Sequence, residues 1–110
     1  MTVNCIKGRI DRTGATELEL ILLADIREGL KNSVLDLSEV PYINSTGMRV
    51  LAEALIEIQK IGGDLRLVNL HPRVKRIFEI VGFLQFFRTY ASVDSAVESF
   101  SNNVPPAQAA

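Results

Sequence analysis

Apolar residues along the chain switch between two spacings, and the switches mark out alternating strands and helices. Residues 3–10 read as a strand whose apolar side is supplied by Val3, Cys5 and Ile10. Asp11-Arg12-Thr13-Gly14 is turn chemistry and predicts a loop. From Thr16 the period lengthens. Leu18, Leu22 and Ile26 stand four apart, Leu23 and Leu30 widen the same stripe, and Gly29 followed by Lys31-Asn32 marks the exit of a helix. Leu20 and Ala24 fall off that stripe, as either incidental apolar exposure or a contact surface.

Val34-Leu35-Asp36-Leu37 has the composition of a central strand, and Ser38-Glu39-Val40-Pro41 breaks it. After Tyr42-Ile43 and Asn44-Ser45-Thr46-Gly47 comes the plainest helix. Val50, Leu51, Ala54, Leu55, Ile58 and Ile61 form one wide stripe, stopped by Gly62-Gly63. Leu65, Leu67, Val68 and Leu70 predict another buried strand. His71-Pro72 opens a third helix with Val74, Ile77, Phe78 and Val81 inward, ended by Gly82. Residues 86–91 read as a final strand, and Ser92 caps a last helix that buries Val93, Ala96, Val97 and Phe100. One domain over residues 1–100 and a loose tail over residues 101–110 are therefore expected. Strands alternating with singly striped helices predict an α/β layer fold, in which the helices cover a sheet.

Composition narrows the chemistry. A chain of 110 residues suits one core, and 47% hydrophobic with 23% charged residues excludes disorder over the whole length. The single cysteine, Cys5, has no internal disulfide partner, and a reducing cytoplasm is its simplest home. With one histidine besides, no Cys/His zinc site assembles within the chain. Neither common phosphate-cradling glycine loop is present, so no cofactor is expected. His71, placed before Pro72, reads as a helix-start residue rather than a general base, and no nucleophile, base and orienter come together, which argues against an enzyme. Lys and Arg total 12 against 13 Asp and Glu, without the basic excess of a general nucleic-acid grip. The longest apolar run, residues 20–24, is too short for membrane insertion, and no secretory signal opens the chain.

The stretch from Val34-Leu35-Asp36-Leu37-Ser38 to Asn44-Ser45-Thr46-Gly47-Met48-Arg49-Val50-Leu51 resembles the signature of the STAS family, which includes the bacterial anti-sigma factor antagonists. Gly8-Arg9-Ile10-Asp11 resembles that family's turn after an early strand, Ile61-Gly62-Gly63-Asp64-Leu65 its helix stop, and Pro72-x-Val74-x-Arg76-Ile77-Phe78 with Gly82 its third helix. The resemblance implies a small mixed sheet of four to five strands, with about four helices packed mainly on one side. It also implies a switch. The serine of the signature is phosphorylated by an anti-sigma factor serine kinase that binds the unphosphorylated form, and a Ser/Thr phosphatase resets the cycle. By position the phosphoacceptor is Ser45. Asp11 matches an acidic turn residue near it, and Asn44, Thr46, Gly47, Met48, Arg49, Ala52, Glu53 and Ile56 form the implied partner surface. The alternative within the family is a scaffold or an accessory subunit of a signalling assembly or transporter, with no phospho-switch.

Physics bears on the placement. Free N–H groups at a helix start welcome an oxygen, and a phosphate there gains from the helix dipole while adding roughly −1.5 to −2 charges. On local sequence alone, a serine or threonine at this place is a plain N-cap. Asn44 stands where the family usually has Asp, which keeps the shape and capping ability but removes a charge. Family members often carry one more strand before residues 3–10. A sheet edge left open there would favour self-association into a homodimer. Arg73, Lys75 and Arg76 crowd the start of the third helix and read as solvated.

Overall fold

The computed structural model describes residues 1–102. Strands β1 (Thr2–Lys7), β2 (Asn32–Glu39), β3 (Asp64–Val68) and β4 (Thr89–Tyr90) lie side by side in chain order in one sheet. Helices α1 (Arg12–Arg27), α2 (Ser45–Lys60) and α3 (Pro72–Val81) link successive strands, and α4 (Val93–Asn102) follows β4. The last two residues of α4 extend into the expected loose tail; residues 103–110 lie outside the described part of the chain.

The α/β class and the four helices are as expected. The sheet among the described residues has four strands, and all three ladders are parallel rather than mixed. Antiparallel neighbours can be joined by a tight hairpin, whereas each connection here is a helical crossover. Right-handed crossovers that step one strand at a time in a single direction put every connecting helix on the same face. Accordingly Leu18 and Leu22 of α1, Leu51 and Ile58 of α2, and Val74 and Phe78 of α3 pack with Leu35, Leu37, Leu65 and Leu67. Helix α4 covers the opposite face, where Ala96 meets Val34, Val68 and Tyr90. Strands β2 and β3 are thus covered on both faces, which explains why apolar residues stand on both sides of each: Val34 opposite in face to Leu35 and Leu37, and Val68 opposite in face to Leu65 and Leu67.

Several local readings shift. Helix α1 starts four residues before Thr16, because Asp11 caps it: the Asp11 side chain accepts from the Gly14 N–H at 3.1 Å. Strand β1 has the opposite phase from the expected one. Thr2, Asn4 and Ile6 turn inward, Asn4 donates to the Asp25 carboxylate of α1 at 2.9 Å, and Val3 and Cys5 face out. Helix α4 packs on β2, β3 and β4, so α1 is what decides which side of β1 is covered. Ile10 leaves the strand and forms an isolated bridge. Strand β2 runs on through Ser38 and Glu39. Strand β4 is cut to two residues, because a 3-10 turn over Phe83–Gln85 precedes it. That turn packs Phe83 between Phe78 and Phe87, with ring centroids 4.8 and 5.0 Å apart. Ile61 and Val81, each past the last full turn of its stripe, are exposed, and so is Leu23, expected in the stripe of α1, because the inward side of that helix is centred on Ala15, Leu18 and Leu22.

Cys5 sits beside Glu39, towards which its Sγ points at 3.8 Å. Its pKa is raised, first by local desolvation and then by the carboxylates of Asp36 and Glu39, against an opposing pull from Lys7. The thiolate is the reactive form. Cys5 is therefore expected to react with iodoacetamide more slowly than free glutathione at pH 8, and a thiol titration that finds it faster would contradict this assignment.

Candidate functional site

The C-terminal ends of β1 and β2 carry two helix starts side by side. Gly8 donates to the Glu39 carbonyl at 2.9 Å, Ile10 to the Tyr42 carbonyl at 2.8 Å, and Asn44 to the Ile10 carbonyl at 2.9 Å. The Ile10–Ile43 bridge is parallel, so the next residues, Asp11 and Asn44, stand in matching positions on neighbouring strands, about 4.8 Å apart across the ladder. Both are N-caps. The Asn44 side chain accepts from the Gly47 N–H at 2.8 Å, as Asp11 does from Gly14. Two helix N-termini thus point their free N–H groups and positive dipole ends towards one patch of surface.

Because Asn44 takes the capping role, Ser45 is the first residue of α2 and its hydroxyl is not the cap. This corrects the local reading of Ser45 or Thr46 as the N-cap. Asparagine and serine serve about equally well at a cap, and here the Ile10–Ile43 bridge fixes which residue still has extended backbone. Ser45 and Thr46 are both exposed.

The expected partner surface divides into two. Arg49, Glu53 and Ile56 are exposed, and Ala52 is half-buried. Ser45, Arg49, Ala52 and Ile56 follow a 4-3-4 spacing, which lines them along one side of α2. Gly47 and Met48 belong to the other set. Gly47 is buried, and a Cβ on it would stand 2.6 Å from Ile10 and 2.8 Å from Ile43; Met48 packs against the core. Gly47 therefore gives the bridge that aligns the two caps its seat. Asn44 is half-buried, and its cap bond ties it to the scaffold, while Asp11 is exposed.

The stripe on α2 continues beyond the residues the sequence pointed to. Ala52, Leu55 and Ile56 line a groove of about 430 Å³ with Phe83 and Phe86 of the 3-10 turn. Ile56 is 53% and Phe86 67% exposed. The period assigned Phe86 to a strand, and only its exposure beside Ile56 reveals it as surface. Near the caps, the Arg9 guanidinium lies 4.5 Å over the Tyr42 ring, and Arg49 pairs loosely with Glu53 at 4.0 Å. Exposed Arg9, Arg12 and Arg49 thus stand in the same segments as exposed Asp11 and Glu53. Among the described residues, no group of three or more His, Cys, Asp or Glu side chains could hold a metal, and no helix is long and apolar enough to cross a membrane.

Comparison with known proteins accords with this arrangement. A family model of the STAS domain matches residues 2–96. The chain is 34% identical over 105 residues to BtrV of Bordetella bronchiseptica, covering 96% of this chain and 90% of that protein. It is 33% identical over 95 residues to the anti-sigma-B factor antagonist of Bacillus subtilis, covering 84% of each. The fold matches that of Bacillus SpoIIAA, an anti-sigma factor antagonist, in its unphosphorylated form (TM-score 0.70, 15% identity, 94% of this chain and 91% of that one). It also matches the phosphorylated form (TM-score 0.69, 17% identity, 90% of each). The STAS domain of a SulP transporter from Vibrio cholerae has the same fold, with a TM-score of 0.71 at 20% identity over 93% of this chain and 81% of that one. With a family match spanning nearly all of the described chain, and with anti-sigma factor antagonists among its relatives, the protein belongs to the STAS domain family.

Proposed function

We propose that this protein is an anti-sigma factor antagonist: a non-catalytic regulator that binds an anti-sigma factor serine kinase and is switched off by phosphorylation at Ser45. One observation carries the reading. The Ser45 hydroxyl is exposed at the first position of α2, with the capping bond already made by Asn44. A hydroxyl relieved of structural duty and open to solvent can meet a nucleotide bound by a partner. Relatives named as antagonists of anti-sigma factors support the partner class, and the existence of a phosphorylated SpoIIAA supports the modification.

The switch is local electrostatics. Unphosphorylated, the patch offers the kinase Ser45, Thr46, Arg49 and the apolar side chains of Ala52 and Ile56. The phosphorylated serine would place a dianion over the free N–H groups of α2 and one helical turn from Arg49, drawing that guanidinium from Glu53. The docking face then changes sign at its centre while the backbone stays put. Asn44, neutral where the family usually has a carboxylate, spares the phosphate one repulsive neighbour. Asp11 remains the nearby acidic group. A Ser/Thr phosphatase restores the binding form.

The test is recovery of the tagged protein from its host with phosphatase inhibitors present and absent. Wild type is expected to retain a serine kinase of the ATP-binding anti-sigma type, and Ser45→Asp to bind it on the order of tenfold to a hundredfold more weakly. Equal affinity of the two forms would overturn the charge switch. Recovery of a transporter subunit instead, unchanged by Ser45→Asp, would replace the proposal with the accessory role.

A further inference from the structure

Helix α1 carries a second stripe that neither the core nor the Ser45 patch uses. Its inward side is Ala15, Leu18 and Leu22. Thr13, Glu17, Leu20, Ala24 and Arg27 are all exposed and fall at spacings of four, three, four and three, the repeat by which one helix lays a seam along another. Leu20 is 64% exposed, and Ile21 and Leu23, each 38% exposed, flank it. Among the described residues neither Glu17 nor Arg27 has an ion-pair partner.

We propose that this face of α1 docks against the same face of a second copy of the chain, antiparallel, about a two-fold axis that crosses the helix at the level of Leu22. The charge order selects both the occupant and the direction. Setting Leu20 opposite the second copy's Ala24 also sets Glu17 opposite the second copy's Arg27. Symmetry repeats each pairing, so two Glu–Arg pairs bracket an apolar centre. A parallel arrangement would set Glu17 on Glu17 and Arg27 on Arg27. A different protein would need the reverse charge order in its own seam, whereas this chain already supplies its own complement. A helix of 16 residues is about 24 Å long, so the contact lies near the low end of specific interfaces, about 1,000 Å² in total. The dimer is accordingly weak, reversible and concentration-dependent.

Sedimentation velocity across the micromolar to millimolar range tests the seam, on a surface whose variants leave Ser45 untouched. Wild type is expected to pass from monomer to dimer. Leu20→Asp should weaken association at least about tenfold. Glu17→Arg and Arg27→Glu should each weaken it at low salt, with little change in melting temperature because both sites are exposed. The two single variants mixed in equal amounts should then form a heterodimer. One copy brings two arginines to the seam and the other two glutamates, so both facing pairs are again opposite in charge. A wild type that stays monomeric to millimolar concentration would overturn the proposal. So would a dimer indifferent to Leu20→Asp, or charge variants that fail to rescue one another.

Discussion

Ser45→Ala is expected to abolish phosphate incorporation by the cognate kinase while leaving the urea midpoint unchanged within error. Asn44→Ala should do the reverse at the level of stability, costing about 1 kcal/mol. The physical basis is the division of labour at the start of α2. Asn44 has extended backbone, and its side chain holds the Gly47 N–H at 2.8 Å; Ser45 is already helical and exposed. Removing Asn44 leaves the Gly47 N–H without its partner where it is least accessible to water, since Gly47 is buried against Ile10 and Ile43. Removing the Ser45 hydroxyl disturbs nothing the fold relies on. Intact mass after incubation with kinase and ATP, together with urea denaturation of each variant, checks both halves. Loss of stability in Ser45→Ala equal to that in Asn44→Ala would mean that Ser45 is the cap and its hydroxyl is not free. Phosphate retained on Ser45→Ala would move the acceptor elsewhere.

The largest expected loss of stability is at a glycine far from this patch. A Cβ on Gly63 would stand 1.9 Å from the Lys31 carbonyl oxygen. That oxygen accepts the Asp64 N–H at 2.9 Å, the bond that leads into the β2–β3 ladder where Asn32 pairs with Asp64. Backbone cannot step aside as a flexible side chain can, so the new methyl group must push the two central strands apart where they first pair. Gly63→Ala is expected to lower the unfolding free energy by about 3 kcal/mol or more, the upper end for overpacking and a large part of a small domain's stability. Gly62→Ala is the control. Its φ of +85° resists a side chain, but nothing lies within 4 Å, so strain of about 1–2 kcal/mol is the whole cost. Equal urea midpoints for the two variants would show that the close approach at Gly63 does not govern.

Gly47 and Gly63 also show where local sequence signals stop. In the chain they are small residues beside Thr46 and Gly62, legible as helix-boundary chemistry. That one receives Ile10 from a different loop and the other meets the Lys31 carbonyl just before β2 follows only from the parallel pairing of segments distant in the chain. Phe86 makes the same point in reverse. Its apolar character suited a strand, but the packing of Phe83 between Phe78 and Phe87 forms the turn that pushes Phe86 outward beside Ile56.

The order of strands and helices, the centres of the buried stripes of α1, α2 and α3, though not Leu23, Ile61 and Val81 at their margins, and the position of Ser45 at a helix start were written in the period of apolar residues and in short-range turn chemistry. Such signals act between neighbours along the chain and survive without knowledge of the fold. The direction of every ladder, the phase of β1, the assignment of the cap to Asn44 rather than Ser45, and the meeting of two helix starts at the Ile10–Ile43 bridge were decided in three dimensions. Each depends on which distant segment lies alongside, and burial, unlike periodicity, belongs to the pair of surfaces that meet and not to either one alone.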